Sequence, residues 1–429
     1  MRVLFTIMPA PAHLYPILPV ARALQSAGHE VAVASYPEAV GAITGAGLTA
    51  IPAGGELDIA ELVRTYGADT DLRDVIGPLM TDASEEVLQD LLQAYVMGPY
   101  GLHYPHPAAG PAEKADRSAM DRLTEVARAW RPDLMLWDPL CFHAPVAARA
   151  CGAAHARLLF GIDYFGWIRA RYREQLGPGE AGTGADLMAE RMRPTLERYG
   201  LDFTEETLTG HWTIDPMPDQ MRLPTGLRRV PVRRVPAAQA SVLPDWLLEE
   251  PRRPRVCLTL GVSTRRFFAG AAGVIPIDDL LDAMADLDVE VIATLTANQL
   301  GEGRQVPDNV RLFDFVPLDQ LLPSCAAVVH HGGGGTFAAA VASRVPQLIA
   351  PRALGDSTEL AAHVEARGAG LTIGLDDFSA DAFRAQLVRL LTESSFQQGA
   401  MSLHEDMLAA PSPHAIVSTL EQLTALHRG

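Results

Sequence analysis

Lysine is almost missing from this 429-residue chain. Lys114 is the only one, so nearly all of the 35 basic side chains are arginine. That all but excludes Schiff-base chemistry, including a pyridoxal-phosphate phosphorylase, whose cofactor needs an internal lysine aldimine. Cysteine is scarce as well. Cys141, Cys151, Cys257 and Cys325 show neither CxxC nor metal spacing, so a disulfide framework is excluded and they read as small buried hydrophobes. No apolar run reaches the ~18 residues of a membrane span. The apolar opening, residues 1–10, lacks the length and charged flank of a signal peptide. These gaps predict a cytoplasmic protein without a membrane partner. Positive charge is in deficit too: the net charge of −17 argues against a nucleic-acid partner, which demands a basic face.

What is present is apolar and periodic. Hydrophobic residues make up 48% of the chain, enough at this length for two cores. Apolar strand-like runs stand at Arg2–Met8, Glu30–Ser35 and Asp133–Asp138. They return at Arg255–Gly261, Val289–Leu295, Val310–Val316, Ala326–His330 and Pro346–Ala350. Helical spacing separates most of them, as at Ile17, Val20, Ala21 and Leu24, ended by Gly28. Apolar strands alternating with helices signify parallel sheets covered on both faces. The fold read from this pattern is α/β, with two doubly wound Rossmann-like domains facing across a cleft. The first spans residues 1–215. Residues 216–254, dense in proline and in arginine pairs at 228–229, 233–234 and 252–253, read as a solvated linker. The second domain spans 255–410. Residues 9–16 and 98–110 read as loops.

The most specific chemical signal is the run His330, His331, Gly332, Gly333, Gly334, Gly335, Thr336, between a strand and a helix. Glycines allow close approach, and the helix that follows offers unpaired N–H groups and a partial positive charge, an anion site suited to phosphate. No lysine follows the glycines, so this is not a Walker loop. His13 follows the first strand and Asp138 ends another strand of the same domain, where an open sheet binds ligands. A carboxylate behind an imidazole fixes its tautomer and stabilises the imidazolium. Such a pair can deprotonate a hydroxyl, worth roughly 10²–10⁴ in rate. Ser263 and the Asp356–Ser357 pair also fall at strand ends. Asp278 and Asp279 stand at a helix start and read as a cap, so no metal site is expected.

Here the residues resemble a known family. Ala12–Leu24, Gly28–Val31, Arg131–Leu140, Ala144–Gly161, Gly210–Pro218, Pro244–Leu247, Val256–Ser263, Pro307–Thr336, Val345–Pro351 and Met407–Pro413 are similar to GT-B glycosyltransferases of family 1, in the bacterial natural-product group. That group transfers deoxysugars, often aminosugars, from dTDP-sugars to macrolide or anthracycline aglycones in antibiotic biosynthesis. The resemblance implies an inverting reaction with no metal or other cofactor, the dTDP-sugar being a co-substrate. It implies His13 as general base with Asp138 behind it, and Ser263, His330, His331 and Gly332 through Thr336 on the donor diphosphate. Strand alternation turns the two histidines apart, and His330 is the one expected on the phosphate. Phe315 and Val316 would lie beside the thymine, and Asp356 and Ser357 on the sugar, where relatives commonly carry Asp-Gln. The resemblance also implies a P450-like auxiliary activator, allows a homodimer, and sends residues 411–429 back onto the first domain as a helix. A sugar-nucleotide epimerase on the same fold and a non-catalytic helper are the competing readings.

Overall fold

Among the described residues, thirteen short strands, nearly all of them apolar, build two parallel sheets. The computed structural model describes residues 1–57, 70–80, 85–104, 117–236, 241–261, 277–295, 305–351, 356–374 and 377–429. The first sheet holds β1 (Arg2–Thr6), β2 (Glu30–Ser35), β3 (Thr49–Pro52), β4 (Leu134–Trp137), β5 (Ala154–Leu158), β6 (Trp212–Asp215) and β7 (Arg229–Pro231). Their spatial order is β3-β2-β1-β4-β5-β6-β7, and each pair is parallel. The second sheet holds β8 (Arg255–Thr259), β9 (Glu290–Thr294), β10 (Val310–Phe313), β11 (Ala327–His330), β12 (Gln347–Ile349) and β13 (Gly370–Thr372). Its order, β10-β9-β8-β11-β12-β13, repeats the same winding, again all parallel.

Central strands such as β4 and β8 are buried along their whole length, because helices cover both faces. That is why they read as unbroken apolar runs rather than alternating ones. The winding reverses between β1 and β4 in one sheet and between β8 and β11 in the other. At such a switch point the loops leave in opposite directions and open a crevice at the strands' carboxyl ends.

The chain divides into two units: Met1–Arg233 with Pro411–Gly429, and Arg234–Ala410. The expected linker is therefore largely structured. Residues 216–233 belong to the first unit, where Arg229–Pro231 adds an edge strand to β6. Proline is harmless there, since an edge strand leaves donors unused. Arg229 is no solvated charge either: its Nε donates to Asp215 at 2.7 Å. In the second unit, Trp246 lies over the Phe313 ring at 5.0 Å and under the guanidinium of Arg311 at 4.5 Å. In the first unit, the helix Val417–His427 packs on β5, and the His427 ring stacks on His211 with centroids 4.6 Å apart.

The loop expected at 98–110 opens instead with a buried helical turn, Gly98–His103, led by Pro99; residues 105–110 lie outside the described part. A proline in the first turn forfeits no hydrogen bond and presets the helical φ. Among the described residues, no helix is long and apolar enough to cross a membrane.

Candidate active site

In the first unit, His13 lies on the first turn of the helix Pro11–Ser26, not in a loop as the prolines had suggested. Pro11 starts the helix, and Pro16 and Pro19 are carried inside it. β1 delivers this turn to the switch point, and the neighbouring β4 delivers Asp138, whose backbone N–H donates to Thr6 O at 2.9 Å. Nδ1 of His13 is hydrogen bonded to Oδ2 of Asp138. The other carboxylate oxygen accepts the N–H of Leu140 at 2.8 Å. Asp138 is buried, with 3% of its side chain exposed, while His13 retains 15%. A buried carboxylate with both oxygens engaged holds the imidazole in one tautomer and leaves Nε2 as the nitrogen that can act.

Phe160, two residues past β5, lies edge-on to the His13 ring with centroids 4.6 Å apart. The sequence reading missed it. Its position just beyond a third apolar strand's carboxyl end was the available signal. Arg157 fastens this turn: its guanidinium donates to both Asp163 oxygens, at 2.7 and 2.6 Å, from a wholly buried position.

In the second unit, β11 leads into the glycine run, and the helix Gly334–Ser343 begins with Gly333 as its N-cap. Gly332 has φ +85°, and a Cβ there would sit 3.0 Å from both the Ser357 Cβ and the Ser357 carbonyl oxygen. Only glycine fits, and the contact ties the loop to the start of the helix Ser357–Ala366. Gly333 makes room for His331, whose Nε2 would stand 2.6 Å from a Cβ at that position. On its other side the same ring faces Gly261, just after β8, where a Cβ would meet Cε1 at 2.8 Å. The imidazole of His331 therefore lies between two glycines at the switch point of β8 and β11.

His330 is turned the other way, and the expectation that it faces phosphate is corrected. It is 1% exposed. Nε2 is 3.0 Å from Gln347 Oε1, and Nδ1 accepts the N–H of Gly332 at 3.1 Å. Nε2–H is therefore the donor, and no ring nitrogen is left for a ligand. Burial, reinforced by the neighbouring His331 and opposed by the Gln347 hydrogen bond, pushes the imidazole down to about 3. Alternation does point the two histidines apart. Both faces of this sheet are covered, however, so alternation alone cannot say which histidine turns inward.

Of the other expected site residues, Phe315 is 45% exposed, while Val316 is 3% exposed with its side chain in the core beneath β9 and β11. Val316 can thus meet a ligand only through its backbone. Asp356 is the N-cap of the helix Ser357–Ala366, and Ser357 is buried against Gly332. Gly334, Gly335 and Thr336 form the first turn of their helix, which carries no acidic residue. Ser263 lies outside the described residues. Asp278 and Asp279 occupy the first turn of the helix Ile277–Met284. Among the described residues, no three His, Cys, Asp or Glu side chains converge in a way that could hold a metal ion.

The first unit carries a carboxylate-backed imidazole at its switch point, and the second a glycine-lined helix start of the kind that receives an anion. Two tandem Rossmann-like sheets furnished in this way are the plan of a GT-B glycosyltransferase. Residues 22–261 match the model of the erythromycin biosynthesis protein CIII-like N-terminal domain, and residues 278–423 that of the C-terminal domain. The chain belongs to this family. It is 42% identical to tylactone mycaminosyltransferase of Streptomyces fradiae, with 100% of this chain and 93% of that protein covered. It is equally 42% identical to aclacinomycin-T 2-deoxy-L-fucose transferase of Streptomyces galilaeus, covering 100% and 97%. Among solved structures, the glycosyltransferase VinC in complex with dTDP superposes with a TM-score of 0.83 at 38% identity, covering 99% of this chain and 100% of that one.

Proposed function

We propose that this protein transfers a deoxysugar, an aminosugar among the candidates, from a dTDP-sugar to a hydroxyl of a polyketide-type aglycone in antibiotic biosynthesis. The reaction inverts the anomeric centre and requires no metal. The observation that carries the reading is the His13–Asp138 pair at the switch point of the first sheet. Nε2 of His13 takes the proton of the acceptor hydroxyl as its oxygen attacks the anomeric carbon. The Asp138 carboxylate stabilises the imidazolium that results. The dTDP leaves from the opposite face through an oxocarbenium-like state. Its growing charge is met by the first-turn N–H groups of Gly334, Gly335 and Thr336, and by His331. Thymine beside Phe315 and the backbone of Val316, the sugar beside Asp356 and Ser357, and Ser263 on the diphosphate complete the donor assignment. The relatives' names support the substrate classes, and VinC's complex supports the nucleotide.

The test is transfer by the purified chain from a dTDP-deoxysugar to a macrolide or anthracycline aglycone, followed by product mass and anomeric configuration. A P450-like activator is supplied in a parallel arm, since the resemblance implies one; full activity of the chain alone would remove that partner. His13→Ala is expected to lower kcat on the order of 10²–10⁴-fold with dTDP affinity unchanged. A near-normal rate removes His13 from the role. Donor turnover without any aglycone would favour an epimerase, and loss of activity in a chelator would end the metal-independent reading.

A further inference from the structure

One hydrogen bond fixes a point and not a plane. The Asp138 contact holds Nδ1 of His13, but the ring can still swing about it and carry Nε2 along. Phe160 restrains that swing: its ring meets the imidazole edge-on at 4.6 Å, with the two planes 68° apart. Such a T-shaped contact has a preferred angle, because the positive edge of one ring seeks the negative face of the other. Phe160 is itself partly exposed, so it can hold an angle only if something holds Phe160.

That support comes from a distant part of the chain. The Tyr95 ring lies nearly parallel to Phe160, 13° off, with centroids 6.4 Å apart. Tyr95 also packs on Tyr164 at 5.2 Å, and both tyrosines are buried. Tyr164 starts the helix Tyr164–Leu176, which the Asp163 side chain caps and Arg157 fastens. Tyr95 is the middle residue of a single π-helical turn, Gln93–Met97, between the helices Glu85–Leu92 and Gly98–His103. The Gly98 N–H donates to Gln93 O, five residues back instead of four. Pro99 follows, and no α-helical ladder runs intact through a residue that lacks an N–H. The wide turn takes in one extra residue and so re-aims the side chains around it by roughly 100°. Such turns are rare and gather at functional sites. Here the side chain at the turn's centre ends one ring away from the imidazole.

We infer that Tyr95 is a positioning residue for the general base. It acts through Phe160: the stacked pair keeps the His13 ring in the plane from which Nε2 meets the acceptor hydroxyl. This rests on the role of His13 proposed above, and it gives the stretch between β3 and β4 a part in the chemistry.

The experiment measures transfer by the full chain with a dTDP-deoxysugar and an aglycone that the parent turns over. Tyr95→Leu is expected to lower kcat on the order of 10- to 100-fold, as a misplacement of about 1 Å can. Its dTDP affinity should be unchanged. Tyr95→Phe keeps the ring and should recover most of the loss, and Phe160→Leu should lose at least as much as Tyr95→Leu. The deciding arm repeats Tyr95→Leu in a His13→Ala background. A residue that acts through His13 has nothing left to act on there, so the residual rate should move by less than about twofold. An equal loss in both backgrounds marks a structural role and overturns the inference. So does a parental kcat in Tyr95→Leu, or a Tyr95→Phe as slow as Tyr95→Leu. If Tyr95→Leu melts too low to assay, Phe160→Leu, at its partly exposed site, carries the same two-background comparison. A near-normal rate in His13→Ala alone removes the general base and this inference with it, an outcome distinct from any difference among the Tyr95 variants.

Discussion

His330 and His331 are one peptide bond apart and differ in almost everything a ligand would sense. The first is a buried bracket: it accepts the N–H of Gly332 and donates to Gln347, and so holds the turn that shapes the cradle. The second lies between Gly261 and Gly333 at the strand ends. Replacing His330 by Ala would strand two buried polar groups, each costing about 1–3 kcal/mol. The expected result is a clearly lowered melting temperature. His331→Ala is expected to do the reverse, weakening dTDP with the melting temperature nearly kept. Calorimetric melting and dTDP titration of both variants check this, and equal behaviour of the two would refute the division of labour. The pairing of His13 with Asp138 was legible in the sequence because each follows an apolar strand, and neighbouring strands of one sheet bring such ends together. The inward turn of His330 was not legible, because a strand covered on both faces gives no sign of which side is the ligand's.

At the level of elements, proline was the main source of misreading. Pro11, Pro99 and Pro145 each stand in the first turn of a helix, where the missing N–H has no partner to lose. A rule that counts proline as a breaker turns the first two of these starts into loops. β7 was hidden for a related reason: an edge strand tolerates Pro231 and shows no apolar run. The turn carrying Phe160 shows what a sequence pattern misses in energy. It is fastened by a wholly buried guanidinium, Arg157, which also donates to Thr209 O at 3.0 Å and to Thr213 Oγ1 at 2.8 Å. The Asp163 carboxylate it holds caps the helix Tyr164–Leu176 through the Gly166 N–H at 2.9 Å. Arg157→Met would leave that carboxylate and its cap without their counter-charge. The expected cost is about 3–5 kcal/mol, as for other broken buried pairs. Denaturant unfolding checks the number, and a loss below about 1 kcal/mol would show the pair to be dispensable. If the variant folds, kcat should fall more than dTDP affinity, because Phe160 would no longer be held against His13.

The two-sheet plan of the whole molecule was readable because both sheets are parallel, and buried parallel strands announce themselves as apolar runs. Strand order was not readable; it emerges only when β4 and β11 take their places beside β1 and β8, and that order is what creates the two switch points. The molecule also buries more histidine than either site explains. His103, His143 and His155 in the first unit are wholly buried, as is His330 in the second, and burial lowers all four, His103 to about 4 and His330 to about 3. His155 has no hydrogen-bond partner at either ring nitrogen among the described residues. Each of these imidazoles stays neutral in the native state and titrates near 6.5 once unfolded. Between 6.5 and its native value the unfolded chain therefore binds the extra proton, so stability falls as pH drops through that window and is fully present above it. Burial also lowers the less deeply buried His211 in the first unit and His363 in the second, so the first unit carries four such histidines against two and should lose more stability on acidification. Hydrogen exchange corrected for intrinsic rates should show protection in β5 and β6 falling between pH 7 and 5.5 by more than in β8 and β11. His155→Leu, which removes the two orphaned nitrogens, should flatten the pH dependence of the first unit by one proton's worth while leaving its stability at pH 7.5 equal or higher. A pH dependence shared evenly by the two units, or one untouched by His155→Leu, would show that these histidines are not what acid attacks.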